Sequence, residues 1–415
     1  MDSLGDITTY AWQRLPLILL FCGGYLVYRL MAATKLTEAF VHWALRRCRG
    51  NGSVLILYLI ATAAALSSFM PNTITVLTLL PVLKRLDRDF AEQGAPGMTT
   101  VLMCAGIYGA AIGGMGSMIG SPANAVLFAA LDFFNVPGRE QLNFFNWFLW
   151  SVPLVVLFVL AAWGVAAGLG MPRRARGVRV VVSGPEGERG ADSRQRFGGR
   201  LFWLYMAFWI LEAVAEQVVP GFSAVAPWAG LAFTALYLYL LFVHPAPPLP
   251  RASGPLLRFR DLVSGIPRRG LAFILLLAVL FAIVHWLRLD QRAVALAEPL
   301  FEGSLPVKLL FPCIVLAVIF LTEALSNTAV VAAFFTIAYA AAKAYGLPPL
   351  PLMLGVSLAS TCAFMTPIAT PTNALAFGEM RGASLRTMLL LGLVLNLAGA
   401  AILAAWLEWV LPHIY

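Results

Sequence analysis

The sequence predicts an all-α polytopic membrane protein built as an inverted-topology repeat, with two re-entrant hairpins and two broken helices. Three observations predict it. Hydrophobic residues make up 60% of the 415 residues, charged residues only 12%, and the mean hydropathy is +0.82, which requires a bilayer as solvent for most of the chain. Several apolar runs have the roughly 17 to 25 residues that carry a helix across about 30 Å of hydrocarbon, and ten-residue segments of alternating hydrophobicity, the mark of a membrane barrel, are missing. The same polar landmarks recur in the same order in the two halves of the chain.

Taken in order, residues 1–52 hold one span, at 15–32, and an interfacial helix. The stretch before that span carries Asp2, Asp6 and one basic residue, which does not resemble a cleaved signal peptide. Residues 53–134 hold a first hairpin, 53–83, turning near Asn72, and a broken helix, 99–134. Residues 135–171 give an interfacial segment and a span at 149–170. The connection 172–200 contains eight arginines among Gly and Ser and reads as a cytoplasmic linker between the halves. Residues 201–304 carry spans at 201–219, 227–243 and 270–287 with interfacial helices. Residues 305–380 hold a second hairpin, 305–342, and a second broken helix, 350–380, and residues 381–415 a last span at 387–411.

The repeat is visible in Ser67-Ser68-Phe69-Met70-Pro71-Asn72-Thr73 followed by Gly120-Ser121-Pro122-Ala123-Asn124, against Thr322-Glu323-Ala324-Leu325-Ser326-Asn327-Thr328 followed by Ala369-Thr370-Pro371-Thr372-Asn373. The net charge of +9 is spread over connections and marks topology rather than a nucleic-acid surface. If 15–32 crosses inward and the first hairpin leaves on the side it entered, then 35–49, 84–88, the arginine-rich linker, 251–269 and 381–386 all fall in the cytoplasm. The charge-poor or mixed loops 132–146, 220–226 and 288–303 fall outside, as do both termini, in an inner (cell) membrane. Eight crossings and two hairpins satisfy this pattern, and the second hairpin then enters from the opposite side to the first, the inverted arrangement of many secondary transporters.

Breaks in membrane helices expose backbone polar groups, which is tolerated only within protein or beside a wet cavity. One hairpin tip and one break per half therefore point to a site at the midplane. Helix N-termini offer unpaired N–H groups and a positive dipole end, so several of them hold a small anion without a basic side chain. Asn-Thr at a tip and Ser/Thr-Pro at a helix restart fit that role, since Ser or Thr caps a helix and Pro suits its first turn. Opposing half-helix C-termini, with free carbonyls and nearby Asn or Thr oxygens, suit a hard cation such as sodium. The competing explanation, that these Asn merely cap and these Pro merely kink, is weakened by four motifs in matched order.

Glu323, opposite Ser68 in the repeat, is expected to be hydrogen-bonded and structural, with coupling or gating as the alternative. Glu212 and Glu216 share a helix face with no evident cationic partner, which suggests an interfacial or subunit contact, and Glu379 lies at the edge of an apolar segment. The four histidines sit near predicted helix ends and read as interfacial rather than as metal ligands. Five dispersed cysteines indicate packing rather than disulfides or zinc.

At these residues the chain resembles the divalent anion/sodium symporter family, which includes sodium-coupled dicarboxylate, citrate and sulfate carriers. The match is strongest over 321–378, at Ser326-Asn327-Thr328 and at Thr366-Pro367-Ile368-Ala369-Thr370-Pro371-Thr372-Asn373, with weaker similarity over 106–124 and 143–153. The resemblance implies a homodimer in membrane lipid, with a scaffold (1–52 and 201–304) and a transport domain (53–134 and 305–380) that carries both hairpins in an elevator movement. One sodium site would involve Ser67, Asn72 and backbone at Gly120; the other, Thr322, Asn327 and backbone at Ala369. Substrate would meet Asn72, Thr73, Ser121, Ser326, Asn327, Thr328 and Thr370.

Two features depart from the family. The first signature normally reads Ser-Asn-Thr, and here Pro71 replaces the serine, removing a hydroxyl and an N–H. One span precedes the first hairpin where relatives commonly have more. The expected function is sodium-coupled symport of a divalent anion, most simply a C4-type dicarboxylate, with a sodium-independent exchanger or a sulfate/oxyanion symporter as alternatives. A channel is the remaining transport option. An intramembrane enzyme would need paired aspartates, a Ser/His pair or a His-rich site within the spans, and the sequence offers none.

Overall fold

The computed structural model describes residues 12, 14–48, 51–178, 193–249, 252–258 and 306–414. The expected span at 270–287, the loop 288–303, most of the loop 251–269 and the middle of the linker lie outside the described residues. The described residues form two compact units: those within 1–42, 143–145 and 183–266 in the first, and those within 43–142, 146–182 and 267–415 in the second.

The first unit is built on α1 (Leu15–Ala33), α8 (Ser193–Val218) and α9 (Ala226–Phe242), with a short antiparallel β1 (Pro245–Leu249) and β2 (Ala252–Pro255). α8 begins inside the arginine-rich connection, so residues 193–200 are helical. Its contact with α1 depends on a missing side chain: the Tyr205 ring fills the place of a side chain at Gly23, and its hydroxyl donates to the Leu20 carbonyl at 2.6 Å. Behind it Phe208 and Phe233 stack with centroids 3.8 Å apart. Of the two acids one turn apart on α8, Glu212 is buried and Glu216 exposed, and Glu212 Oε1 has no hydrogen-bond partner among the described residues.

α2 (Leu36–Arg46) leads into the second unit, which contains both hairpins and both breaks. The first hairpin is α3 (Gly52–Ser67) and α4 (Asn72–Glu92); the first broken helix is α5 (Thr99–Gly113) and α6 (Pro122–Phe133), followed by α7 (Phe144–Trp163). The second hairpin is α10 (Val307–Thr322) and α11 (Asn327–Ala344); the second broken helix is α12 (Pro349–Ala359) and α13 (Pro371–Glu379), and α14 (Leu385–Ala405) closes the chain. α3 and α10 have 16 residues each, about 24 Å of helix, short of the roughly 30 Å a full crossing needs. Helices at Leu15–Ala33, Phe144–Gly170, Ser193–Val218, Asn327–Ala344 and Leu385–His413 are long and apolar enough to cross.

α5 and α12 are apolar on all sides and are the buried centre of this unit, as an all-round hydrophobic helix must be: every residue from Thr100 to Gly113 is buried. Small residues let α3 approach α5. A Cβ at Gly109 would stand 2.5 Å from Ala63 Cβ, and one at Gly113 2.7 Å from Ser67 Cβ, the small-residue packing that replaces hydrophobic drive between membrane helices. Between α3 and α7 lies an apolar cavity of about 540 Å³ that reaches Ser68, Phe69 and Gly116 at the first tip.

Candidate functional site

Each hairpin tip ends one helix and starts another within four residues. Ser67 is the last residue of α3, buried, and its hydroxyl donates to Asn72 Oδ1 at 2.6 Å, closing the first tip on itself. Pro71, the residue before α4, has φ −56° and ψ 134°, nearly the backbone of Ser326 before α11 at −65° and 136°. Proline therefore keeps the tip's path because its fixed φ suits it, but it loses the cap. Ser326 Oγ accepts from the Ala329 N–H at 3.3 Å, and nothing does this in the first tip.

The breaks are held by the asparagines of the two Pro-x-Asn motifs. Asn124, fully buried, donates from Nδ2 to the carbonyls of Gly114 at 3.2 Å and Ser117 at 2.9 Å. Asn373 does the same at the same spacing, to Ala363 and Thr366, both at 2.9 Å. In each half a hydroxyl from the break also donates to the tip carbonyl four residues before the tip asparagine: Ser117 Oγ to Ser68, and Thr366 Oγ1 to Glu323 at 2.7 Å. The repeat seen in the sequence is thus a repeat of hydrogen bonds. Ser121 caps α6 through the Ala123 N–H, and Thr370 caps α13 through the Asn373 N–H at 3.1 Å.

The two halves differ in what satisfies the rest of the broken backbone. In the first, α7 supplies donors: Trp147 Nε1 to Met115 O at 2.9 Å and Ser151 Oγ to Gly116 O at 3.1 Å. In the second, Glu323 supplies acceptors. Its carboxylate takes the N–H groups of Met365 and Thr366 and the Asn396 amide, each at 2.7 Å, and the residue is 3% exposed. Glu323 is hydrogen-bonded, as expected, but the partners of its carboxylate have no counterpart at Ser68, whose hydroxyl donates to Ala64 O, so repeat symmetry did not reveal them. Gly392 allows α14 to come this close, since a Cβ there would sit 2.8 Å from the Met365 nitrogen.

The halves meet crosswise. α13 of the second packs against α4 of the first, and α6 of the first against α11 of the second. At the first crossing Thr73 Oγ1 lies 2.9 Å from Thr372 Oγ1, which joins a tip of one half to the restart of the other. At the second, Phe134 stacks on Tyr339, centroids 4.6 Å apart. The residues singled out from the sequence therefore lie on these tips and restarts: Ser67, Asn72, Thr73, Gly120 and Ser121 on the first set, Thr322, Ser326, Asn327, Thr328, Ala369 and Thr370 on the second. Thr322 turns its hydroxyl onto its own helix, to Ile319 O at 2.8 Å, rather than toward Asn327. Asn327 Oδ1 is buried with no hydrogen-bond partner among the described residues, which leaves it open to a water or a ligand. The sequence does not single out Thr372, Thr366, Ser117 or Asn396; Ser117 and Thr366 stand at the same spacing before Asn124 and Asn373, which is the available signal.

The profile of the family described as "Citrate transporter" matches residues 2–231 and 206–414. The chain belongs to that family. It is 26% identical to an uncharacterized transporter of Haemophilus influenzae, over 94% of this chain and 80% of the relative. A sodium-dependent high-affinity dicarboxylate transporter of Caenorhabditis elegans is 26% identical over 87% of this chain and 68% of the relative, and the sodium-dependent dicarboxylate transporter SdcS of Staphylococcus saprophyticus 24% identical over 96% and 77%. The chain is thus a multi-pass membrane transporter of the divalent anion/sodium symporter family, not an enzyme. In fold it is similar to the Alcanivorax borkumensis YdaH transporter, reported to have an unusual topology, with a TM-score of 0.64 at 14% identity over 98% of this chain and 87% of that one.

Proposed function

We propose that the chain is a sodium-coupled symporter of a divalent anion, with a C4-type dicarboxylate as substrate. The observation that carries this reading is the crosswise joining of two tip-and-break pairs through Thr73 and Thr372, with Asn327 Oδ1 in one of them buried and unpartnered among the described residues. Four helix starts, at Asn72, Pro122, Asn327 and Pro371, offer N–H groups and positive dipole ends. A dicarboxylate divides its two charges between them: Asn72, Thr73 and Ser121 take one end, and Ser326, Asn327, Thr328 and Thr370 the other.

Sodium, as co-substrate, needs a shell of oxygens. Asn327 Oδ1 with the Thr322 hydroxyl and the Ala369 carbonyl fits that need, because the amide oxygen has no hydrogen-bond partner among the described residues. Ser67, Asn72 and the Gly120 carbonyl form the weaker candidate, since Asn72 Oδ1 already accepts from the Ser67 hydroxyl and Pro71 adds no oxygen. Bound sodium neutralises the carbonyl and amide oxygens at the helix ends and favours the anion beside it. The loaded transport domain, 53–134 with 305–380, then moves as one body across the membrane, in a homodimer, as the family resemblance implies.

Uptake of radiolabelled succinate into proteoliposomes, with and without an inward sodium gradient, and with sulfate and citrate as competitors, tests the reading. Sodium-stimulated uptake that Asn72→Ala and Asn327→Ala each abolish in folded protein is the expected result. Uptake that ignores sodium and requires internal succinate replaces symport with exchange, the alternative that Pro71 keeps open.

A further inference from the structure

A carboxylate at the C-terminal end of a membrane helix is doubly unfavourable, since it meets the negative end of the dipole and sits in a medium that penalises charge. Glu323 has that position, directly after α10, and is buried. What offsets this is a set of donors drawn from two other elements: the Met365 and Thr366 N–H groups of the second break and the Asn396 amide of α14. Thr366 Oγ1 closes the set on the Glu323 carbonyl. Three bonds through one residue thus tie the tip 322–328 to the break 363–370 and a fourth ties it to α14, whereas the first tip meets its break through the bond from Ser117 to Ser68.

We propose that Glu323 is a positioning residue for transport: it fixes the second tip against the second break, so that Thr322 and Asn327 stand in register with Ala369 and Thr370 before any ligand arrives. Glu323 itself points at the Met365 and Thr366 N–H groups and the Asn396 side-chain amide and not at the ligand groups. This rests on the reading of tip and break as the binding site. Glutamine at this position fills the same volume but turns an NH2 group toward one of the donors, either the Thr366 N–H or the pair from Met365 and Asn396, and leaves that side unpaired.

The test uses full-length protein in proteoliposomes, comparing wild type with E323Q and with N396A. The second variant removes one bond only and serves if E323Q folds poorly. Amide hydrogen exchange in segments 322–328 and 363–370, measured without sodium or anion, is expected to rise in E323Q by about tenfold and in N396A by less, the scale of one lost charge-assisted bond. In uptake, the sodium concentration for half-maximal succinate transport rises by about tenfold in E323Q while the rate at saturating sodium stays within about twofold. A merely structural residue would lower folded yield and maximal rate together and leave half-saturation unchanged, and that result, or unaltered exchange in both segments, overturns the proposal. Wild-type uptake that ignores sodium sinks the symport reading instead, and the exchange measurement then decides Glu323 alone.

Discussion

At the scale of single residues, asparagine does the work that the absent bilayer water cannot. Asn124 and Asn373 each satisfy two carbonyls that a helix break leaves bare, and no shorter or apolar side chain does so. Asn373→Ala is expected to lower stability by about 2 kcal/mol, the cost of leaving buried polar groups unpaired, read as a fall in melting temperature in detergent together with loss of uptake. An unshifted melt would show that the break finds other partners. Pro71→Ser tests the opposite direction. Because Pro71 already has the backbone of Ser326, serine there should add a cap worth about 1 kcal/mol, seen as a higher melting temperature. If the first tip also gains a cation ligand, the apparent sodium affinity rises with it.

At the scale of elements, the hairpins depend on helix contacts without side chains between them. α3 and α5 touch at Gly109 and Gly113, where any Cβ collides with Ile60, Ala64 or their neighbours. Gly113→Leu pushes the end of α3 away from the first break and separates Ser67 from its place at the tip. The expected outcome is loss of succinate uptake with the protein still inserted, whereas Gly164→Ala, at a glycine with nothing within 4 Å, leaves uptake intact. Equal activity in the two variants would remove the close contact from the account of the first tip.

At the scale of the molecule, both tips and both breaks belong to one compact unit, and polar contacts across its halves reach beyond the site. Lys84 at the far part of α4 pairs with Glu379 at the end of α13, Nζ to Oε2 2.6 Å, both about half exposed, so the pair itself adds little stability. It offers a place for a bridge. Joining K84C to E379C with a bis-maleimide of matching length, in a background without the native cysteines, is expected to leave the succinate uptake rate within about twofold if the unit travels as one body. Arrest of transport by the bridge would mean that the two halves must part during the cycle.

The sequence by itself determined the membrane class, the paired hairpins and breaks, and the residues at the tips, because hydropathy, helix length and Pro or Ser/Thr caps are local properties that survive without knowledge of neighbours. The near-identical backbone of Pro71 and Ser326 was likewise implicit in a repeat read residue against residue. Tertiary structure alone decided how the halves cross, so that Thr73 reaches Thr372, and what satisfies each break: α7 donors in the first half, Glu323 and Asn396 in the second. These partners lie far apart in the chain and are not related by the repeat. A buried donor or acceptor must be met by whatever side chain packs against it, and only the packing says which one that is.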